Sequence, residues 1–173
     1  MSWQQVLQYQ REAILSGELW RLVSGHLVHM NAPHLLMNLL GLWLIWLLFF
    51  NRESSGILCF YRLPAVLIGS ALTLLALNPE VAWYRGLSGI LHGLLALGLL
   101  RQCESQRLTG GVLLLLFVAK IGWEQATGAI PGSEAWISGQ VIVDSHLYGA
   151  IWGGLIWLLD RSRHHFKNQE VAG

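Results

Sequence analysis

The chain has 173 residues, of which 54% are hydrophobic and 12% are charged, and its net charge is +1. A soluble globular domain carries about 25% charged residues, so about half of the expected charged surface is missing. The composition excludes a disordered chain, a collagen or coiled-coil fibre and a nucleic-acid-binding protein. The mean hydropathy of +0.48, nine tryptophans and 19 glycines favour a membrane protein with closely packed helices, and two cysteines provide no disulfide framework.

The first 33 residues show no transmembrane pattern and are predicted to form an N-terminal tail and an external interfacial loop. Residues 1–11 are mostly polar and contain no signal-peptide core. Residues 17–33 mix Trp20 and several leucines with Arg21 and His26, which suits the membrane interface better than a crossing. An outside N-terminus without a signal is unusual, so we expect either a translocated tail or an upstream helix that is missing from this chain.

Five apolar stretches are predicted to cross the bilayer, which makes the fold an all-α, polytopic membrane helix bundle. They are residues 35–50, 63–77, 86–100, 108–123 and 145–159. A span needs about 20 apolar residues, and shorter spans require local thinning of the bilayer. The polar ends of these short stretches must therefore lie at membrane depth or beside water. Residues 34–160 form the predicted core domain, and residues 161–173 form a predicted cytoplasmic tail.

The basic residues predict how the five spans are oriented. With alternating crossings, seven arginines and lysines, including Arg52 and Lys167, lie on the side of the C-terminus, and three lie on the opposite side. The positive-inside rule therefore places the C-terminus in the cytoplasm. His34, Ser88 and His146 then all lie at the outer ends of their spans.

The third predicted span opens with residues 86–89, which read GLSG. A serine at the start of a helix is commonly an N-cap. Here the flanking Gly86 and Gly89 leave the hydroxyl uncovered, and the N–H groups at a helix start point toward any anion formed there. Ser88 is therefore a candidate nucleophile as well as a candidate cap.

His146 opens the last predicted span and is the candidate base for Ser88. An ionisable residue inside a membrane segment suggests a functional site, although an interfacial histidine with its ring in water is the alternative. Gly149 lies on the same helix face as His146, and Gly89 offers a matching small residue, so close helix packing would bring the serine and the imidazole together. No Asp or Glu falls near these two residues on either predicted helix, so the pattern predicts a Ser–His dyad. Asp144, two residues before His146, could orient the imidazole, but it is predicted to lie in a loop.

His34 and Asn38 are four residues apart and share one face of the first predicted span. Asn38 could bond to a neighbouring helix, or it could donate to the oxyanion of a tetrahedral intermediate. His26, His29 and His34 could suggest a metal site, but no cysteine or carboxylate cluster accompanies them. Neither a metal nor another cofactor is predicted.

Two further polar features belong to the predicted spans, one a turn below Ser88 and the other near the outer end of the fourth span. His92 follows Ser88 by one helical turn, and its ring is predicted to stack on that of His146. Lys120 and Glu124, also four residues apart, are predicted to neutralise each other as an ion pair.

Four motifs in this order resemble those of the rhomboid family of intramembrane serine proteases, and the resemblance covers nearly the whole chain from Glu18 onward. They are the pair Trp20-Arg21, the H-x-x-x-N of residues 34–38, the GLSG of residues 86–89 and the H-x-x-G-x-x-x-G of residues 146–153. The family core has six helices, whereas this chain supplies five from the second onward.

The resemblance implies a role for each matching residue. Ser88 would be the nucleophile and His146 the general base, while Asn38, His34 and the Ser88 N–H would donate to the oxyanion. Gly86 and Gly89 would shape the turn before the nucleophile. In many rhomboids an aromatic residue four positions after the serine stacks on the catalytic imidazole, and His92 occupies that position here.

Within the family, the small size and residues 25–29 (GHLVH) and 88–93 (SGILHG) look most like the rhombosortase branch. This implies a multi-pass protein of the bacterial inner membrane. Its partners would be the lipid bilayer and membrane-anchored proteins that end in a Gly-Gly-containing tail, a hydrophobic helix and a basic end. The alternative is a catalytically silent rhomboid-like protein that binds membrane clients, although such proteins usually lack the serine or the histidine.

Overall fold

The computed structural model describes residues 2–51 and 61–172, without the side chains of residues 164–172. Arg52 and the Lys167 side chain, both on the predicted cytoplasmic side, and Cys59, one of the two cysteines, lie outside the described residues. The elements in chain order are α1 (Trp3–Leu7), β1 (Tyr9–Gln10), α2 (Arg11–Leu15), α3 (Arg21–Ser24), α4 (Ala32–Ile45) with a π-helical continuation (Trp46–Phe50), α5 (Leu63–Leu77), β2 (Trp83–Tyr84), α6 (Ser88–Ser105), α7 (Arg107–Thr127), α8 (Ser133–Ile137) and α9 (Val143–Ala172).

Two helices of the described ranges are long and apolar enough to cross a bilayer by length and composition, namely Ala32–Phe50 and Arg107–Thr127. Helix α5 is a shorter apolar helix. Their outward side chains remain uncovered by protein: Leu36 on α4 is 59% exposed and Leu115 on α7 is 69% exposed. Large aliphatic faces of this kind suit contact with lipid. The mostly helical fold agrees with the sequence, while the count of five spans stays a prediction.

Helix α6 lies at the centre of the bundle, and α9 packs along it through glycines. A Cβ atom placed on Gly149 would lie 1.8 Å from the carbonyl oxygen of Gly89, and one on Gly153 would lie 2.0 Å from that of Gly93. These distances are far below van der Waals contact, so the two backbones approach as closely as they do only because side chains are missing there. This contact determines the distance between the side chains in the first turns of α6 and α9.

The other helices surround this pair. Val66 of α5 and Ile156 of α9 join Ile90 and Leu97 of α6 in one apolar cluster. Phe117 and Ile121 of α7 pack on a second side of α6. At the end of the bundle where α6 terminates, a buried ion pair of 2.9 Å joins Arg62 before α5 to Asp160 of α9. We call the opposite end, where α6 begins, the site end.

The N-terminal segment packs against the site end. β1 pairs antiparallel with β2, with Tyr9 opposite Tyr84. The guanidinium of Arg21 is buried and donates to the carbonyl oxygens of Gln5 and Gln8, 3.0 and 2.9 Å away. These bonds satisfy a charged group that would otherwise be costly to bury. The segment therefore forms a structured cap on the bundle and holds β2, which leads into the turn before α6.

Several helix boundaries differ from the predicted ones, and two of them bear on the site. Helix α6 begins at Ser88, and Gly86 precedes it with a positive φ of 130°. Helix α9 begins at Val143, so the prediction that Asp144 lies in a loop was wrong. An acidic residue in the first turn favours a helix start through the helix dipole. The Asp144 carboxylate also accepts a hydrogen bond of 2.9 Å from the Asn78 side chain, which ties α9 to the end of α5.

Candidate active site

Ser88 and His146 meet at the site end of the bundle. Ser88 is the first residue of α6, and His146 lies in the first turn of α9, which the glycine contact holds against α6. Ser88 Oγ lies 2.9 Å from His146 Nε2, within hydrogen-bonding distance. His146 is 5% exposed. A hydroxyl in this position can pass its proton directly to the ring nitrogen, as a nucleophile must do to its base.

A carboxylate lies on the other side of the same imidazole. Glu124 Oε2 of α7 is 2.9 Å from His146 Nδ1, and Glu124 is 3% exposed. The predicted dyad considers only the two helices that carry the serine and the histidine, whereas Glu124 reaches the site from a third helix.

Lys120 completes a connected group of polar side chains. Its ammonium donates to Glu124 Oε2 at 2.6 Å, as the predicted ion pair requires, and it also contacts His92 Nε2. His92 in turn bonds through Nδ1 to the Ser88 carbonyl oxygen at 2.7 Å. Its ring stacks on that of His146, with centroids 4.0 Å apart and planes inclined by 13°. The sequence predicted a contact between the two histidines and an ion pair between Lys120 and Glu124. It did not predict the contacts between the ion pair and the histidines.

The hydrogen-bond partners determine which nitrogen of each ring carries the proton. His92 faces a carbonyl acceptor at Nδ1 and an ammonium donor at Nε2, so its proton lies on Nδ1. His146 faces the carboxylate at Nδ1 and a hydroxyl at Nε2. Its proton therefore lies on Nδ1, and Nε2 is free to accept the proton of Ser88. This is the tautomer that a general base needs.

Asn38 and His34 of α4 lie beside the turn that precedes Ser88. Within the described part of the chain, the buried Asn38 Nδ2 has no hydrogen-bond partner. His34 Nδ1 accepts from the Met30 N–H at 3.4 Å, which leaves the proton on Nε2. A Cβ at Gly86 would lie 2.9 Å from that nitrogen, and φ is positive there, so the imidazole and the turn fit together only around glycine.

The turn itself is held from the side of the N-terminal cap. Tyr84 donates from its hydroxyl to the Gly86 carbonyl oxygen, and the Gly86 N–H donates to the Gly25 carbonyl oxygen at 3.1 Å. Burial raises the pKa of the Tyr84 phenol, which therefore stays a neutral donor. Beside it, burial lowers the pKa of His26 to about 4, and its ring packs edge-on against Tyr84.

A comparison with protein-family models matches residues 16–163 to the Rhomboid domain. The chain belongs to the rhomboid family. Rhomboids are membrane proteins and intramembrane serine proteases, so the family resemblance of the sequence motifs is confirmed at this level. Comparisons with curated proteins and with solved structures gave no significant match.

In this rhomboid the polar groups open into a cavity of about 340 Å³. Side chains of α4, β2 and the connection between α7 and α9 form its walls, and Ser88 and His146 line it together with Asn38, His34, Lys120 and Glu124. Such a cavity admits water to a serine that otherwise lies within an apolar bundle.

Three polar side chains of the site have the chemistry of metal ligands. One ligand atom each of His92, Glu124 and His146 lies within 4.8 Å of the others. The Lys120 ammonium, however, already contacts His92 and Glu124 and supplies a positive charge among them. The donor set therefore does not favour a further cation. His29 and His34, two of the three N-terminal histidines considered as metal ligands above, make an edge-on ring contact with centroids 4.9 Å apart.

Proposed function

We propose that this rhomboid is an active intramembrane serine endopeptidase, with Ser88 as nucleophile and His146 as general base. The observation that carries the proposal is the 2.9 Å contact between Ser88 Oγ and His146 Nε2 inside a cavity. A serine hydroxyl attacks a carbonyl poorly unless a base removes its proton. The accepting tautomer of His146, fixed by its other neighbours, supports this role.

The proposed reaction has two halves. Ser88 Oγ bonds to the scissile carbonyl carbon while its proton moves to His146 Nε2. The tetrahedral intermediate then collapses, the C–N bond breaks, and His146 returns the proton to the leaving amine. Water from the cavity attacks the acyl-enzyme by the same route and releases the new carboxyl group together with the Ser88 hydroxyl.

The proposed oxyanion site lies between α4 and the start of α6. Asn38 Nδ2 is a buried donor without a partner among the described residues, a costly state that an oxyanion would relieve. The Ser88 N–H belongs to the first turn of α6, where N–H groups lack intrahelical acceptors. His34 Nε2, which lies against Gly86, is the third proposed donor.

The proposed substrates are membrane-anchored proteins, cleaved near the outer face of a bacterial inner membrane with the C-terminus of the enzyme in the cytoplasm. Recognition of Gly-Gly-type C-terminal tails is proposed from the rhombosortase-like segments at residues 25–29 and 88–93. A glycine-rich segment also suits the chemistry, because a helical peptide bond must unwind before attack and glycine weakens a helix by about 1 kcal/mol per residue.

The test uses purified protein in detergent and a fluorophosphonate probe that labels activated serines. We expect the wild type to be labelled, Ser88→Ala to be unlabelled, and His146→Ala to lose nearly all labelling. Ser105→Ala, at the exposed far end of the same helix, is the matched control and should label like the wild type. Cleavage of a reporter with a Gly-Gly tail should follow the same order. Undiminished labelling and cleavage in Ser88→Ala would refute the proposal.

A further inference from the structure

The hydrogen bond between Glu124 and His146 suggests more than an ion pair with Lys120. Glu124 Oε2 is shared between the Lys120 ammonium at 2.6 Å and His146 Nδ1 at 2.9 Å. We propose that Glu124 is a positioning residue that completes a Ser88–His146–Glu124 triad. This inference rests on the proposed function, because it assigns a partner to the base of that same reaction.

Geometry gives the carboxylate two tasks. It accepts the Nδ1 proton of His146, which leaves Nε2 unprotonated toward Ser88. It also places a negative charge beside the ring at the moment when the ring gains the serine proton. These are the tasks of the buried acid in Ser-His-Asp hydrolases, where the acid orients the imidazole and stabilises the imidazolium without taking the proton itself.

Lys120 explains how an ionised carboxylate can remain at this depth. An isolated buried carboxylate is costly, and an ammonium within hydrogen-bonding distance offsets that cost. Lys120 lies one helical turn before Glu124, so α7 carries both charges as a neutral unit. The same ammonium also contacts His92, which stacks on His146. His146 is thus held on its edge by Glu124 and on its face by His92.

The rival interpretation is that Glu124 only compensates the charge of Lys120. Both interpretations predict that removing the carboxylate alone lowers activity, since an uncompensated ammonium would then lie near His146. They differ for the double variant Lys120→Met/Glu124→Met. If Glu124 only compensates the charge of Lys120, the double variant has no uncompensated charge and its activity returns. If Glu124 positions His146, the double variant still lacks the carboxylate and its activity stays low.

The isosteric variant Glu124→Gln provides a second test that preserves side-chain volume. An amide oxygen at the position of Oε2 would keep the hydrogen bonds to Lys120 and to His146 Nδ1, but it would carry no negative charge. The ring would keep its tautomer, and the imidazolium formed when it takes the Ser88 proton would lose its counter-charge. Glu124→Asp keeps a carboxylate on a shorter side chain and should recover part of the activity. Glu104→Gln, the same change at a half-exposed carboxylate of α6, is the matched control.

The measurement is the rate of Ser88 modification by a fluorophosphonate at several probe concentrations, which separates the maximal rate from the probe's binding constant. We expect the double variant to lose about 10²–10⁴-fold in maximal rate and Glu124→Gln to lose a smaller part of it, with little change in probe binding in either variant. Glu124→Asp should lie between them and the wild type, and Glu104→Gln should match the wild type.

Two results would overturn the inference while leaving the proposed function intact. One is a double variant that labels at nearly the wild-type rate, and the other is a Glu124→Gln variant that does so. Failure of the proposed function is recognised separately, because Ser88→Ala would then be labelled as well as the wild type.

Discussion

Replacing Gly149 with alanine should separate the serine from the imidazole without touching either. The added Cβ would lie 1.8 Å from the Gly89 carbonyl oxygen, whereas Cβ atoms are essentially never found within 3.0 Å of such a neighbour. Because the obstacle is backbone, α6 and α9 must move apart locally by at least the difference, about 1.2 Å. Added to the 2.9 Å between Ser88 Oγ and His146 Nε2, this exceeds hydrogen-bonding reach.

The expected loss follows from that displacement. A misplacement of about 1 Å in a catalytic group can cost about 10²-fold in rate, and overpacking a helix contact costs about 1–3 kcal/mol of stability. We therefore expect Gly149→Ala to fold, to unfold at a lower temperature and to lose about 10²-fold in both fluorophosphonate labelling and reporter cleavage.

Gly154 offers a control on the same helix. A Cβ at Gly154 would meet only the Leu100 side chain at 3.9 Å, an ordinary contact. Gly154→Ala should therefore keep full activity and gain slightly in stability through its higher helix propensity. If Gly149→Ala labelled as fast as Gly154→Ala, the close approach of the two helices would not be what holds Ser88 and His146 together.

Three further predictions concern the surroundings of the site. Asn38→Ala should lower cleavage by about 10²–10³-fold if its side chain donates to the oxyanion, and full activity would make Asn38 structural. Burial lowers the pKa of His26 from 6.5 to about 4. Between these two pH values His26 is therefore protonated in the unfolded state and neutral in the folded state. The free energy of unfolding should therefore fall between pH 6.5 and pH 4, by about 3 kcal/mol in total from this group. Melting temperatures of His26→Gln should depend less on pH than those of the wild type, and equal slopes would contradict the assignment. Arg21→Lys should lower the free energy of unfolding by about 2 kcal/mol, because an ammonium cannot reproduce the planar guanidinium that binds the carbonyl oxygens of Gln5 and Gln8. An unchanged melting temperature would show that these bonds contribute little.

The positions of the serine, the histidines and the asparagine were predictable because helical spacing decides which residues share a face. Asn38 follows His34 by four residues, and His92 follows Ser88 by four. In the structure each pair indeed lies together, and His92 stacks on His146. The small residues at Gly89 and Gly149 indicated where two helices could approach. Local spacing and side-chain size were sufficient for these relations.

The neighbour of His146 on α7 could not be predicted in this way. Glu124 precedes His146 by 22 residues and lies on a separate helix, so their contact depends on the rotation of α7 about its axis. A helix that is apolar on most sides gives no preferred rotation. Lys120 and Glu124 also form an ion pair at a spacing of four residues. Because each charge then has a partner, the sequence gives no indication that Glu124 contacts a third residue. The available signal was that Lys120, Glu124 and His146 are all predicted to lie near the outer ends of their spans.

The N-terminal cap was beyond sequence reasoning for a different reason. Its strands contain two residues each, and Tyr9 of β1 pairs with Tyr84 of β2 across more than 70 positions of the chain. Strands of this length carry no alternating pattern from which pairing could be inferred. The cap nevertheless bears on the site, because Tyr84 binds the carbonyl of Gly86 and so holds the turn that presents Ser88.

Lys120 influences the protonation of two histidines at the site end, one directly and the other through Glu124. Lys120 donates toward His92, whose remaining proton binds the Ser88 carbonyl, so this ring has no free acceptor for the serine proton. Lys120 also donates to Glu124, which accepts from His146 and leaves that ring with a free acceptor facing Ser88. Two stacked imidazoles of similar chemistry are thereby distinguished by their partners alone. If His92 were the base instead, His146→Ala would keep its labelling and His92→Phe, which retains a stacking ring, would lose it; the hydrogen bonds predict the reverse.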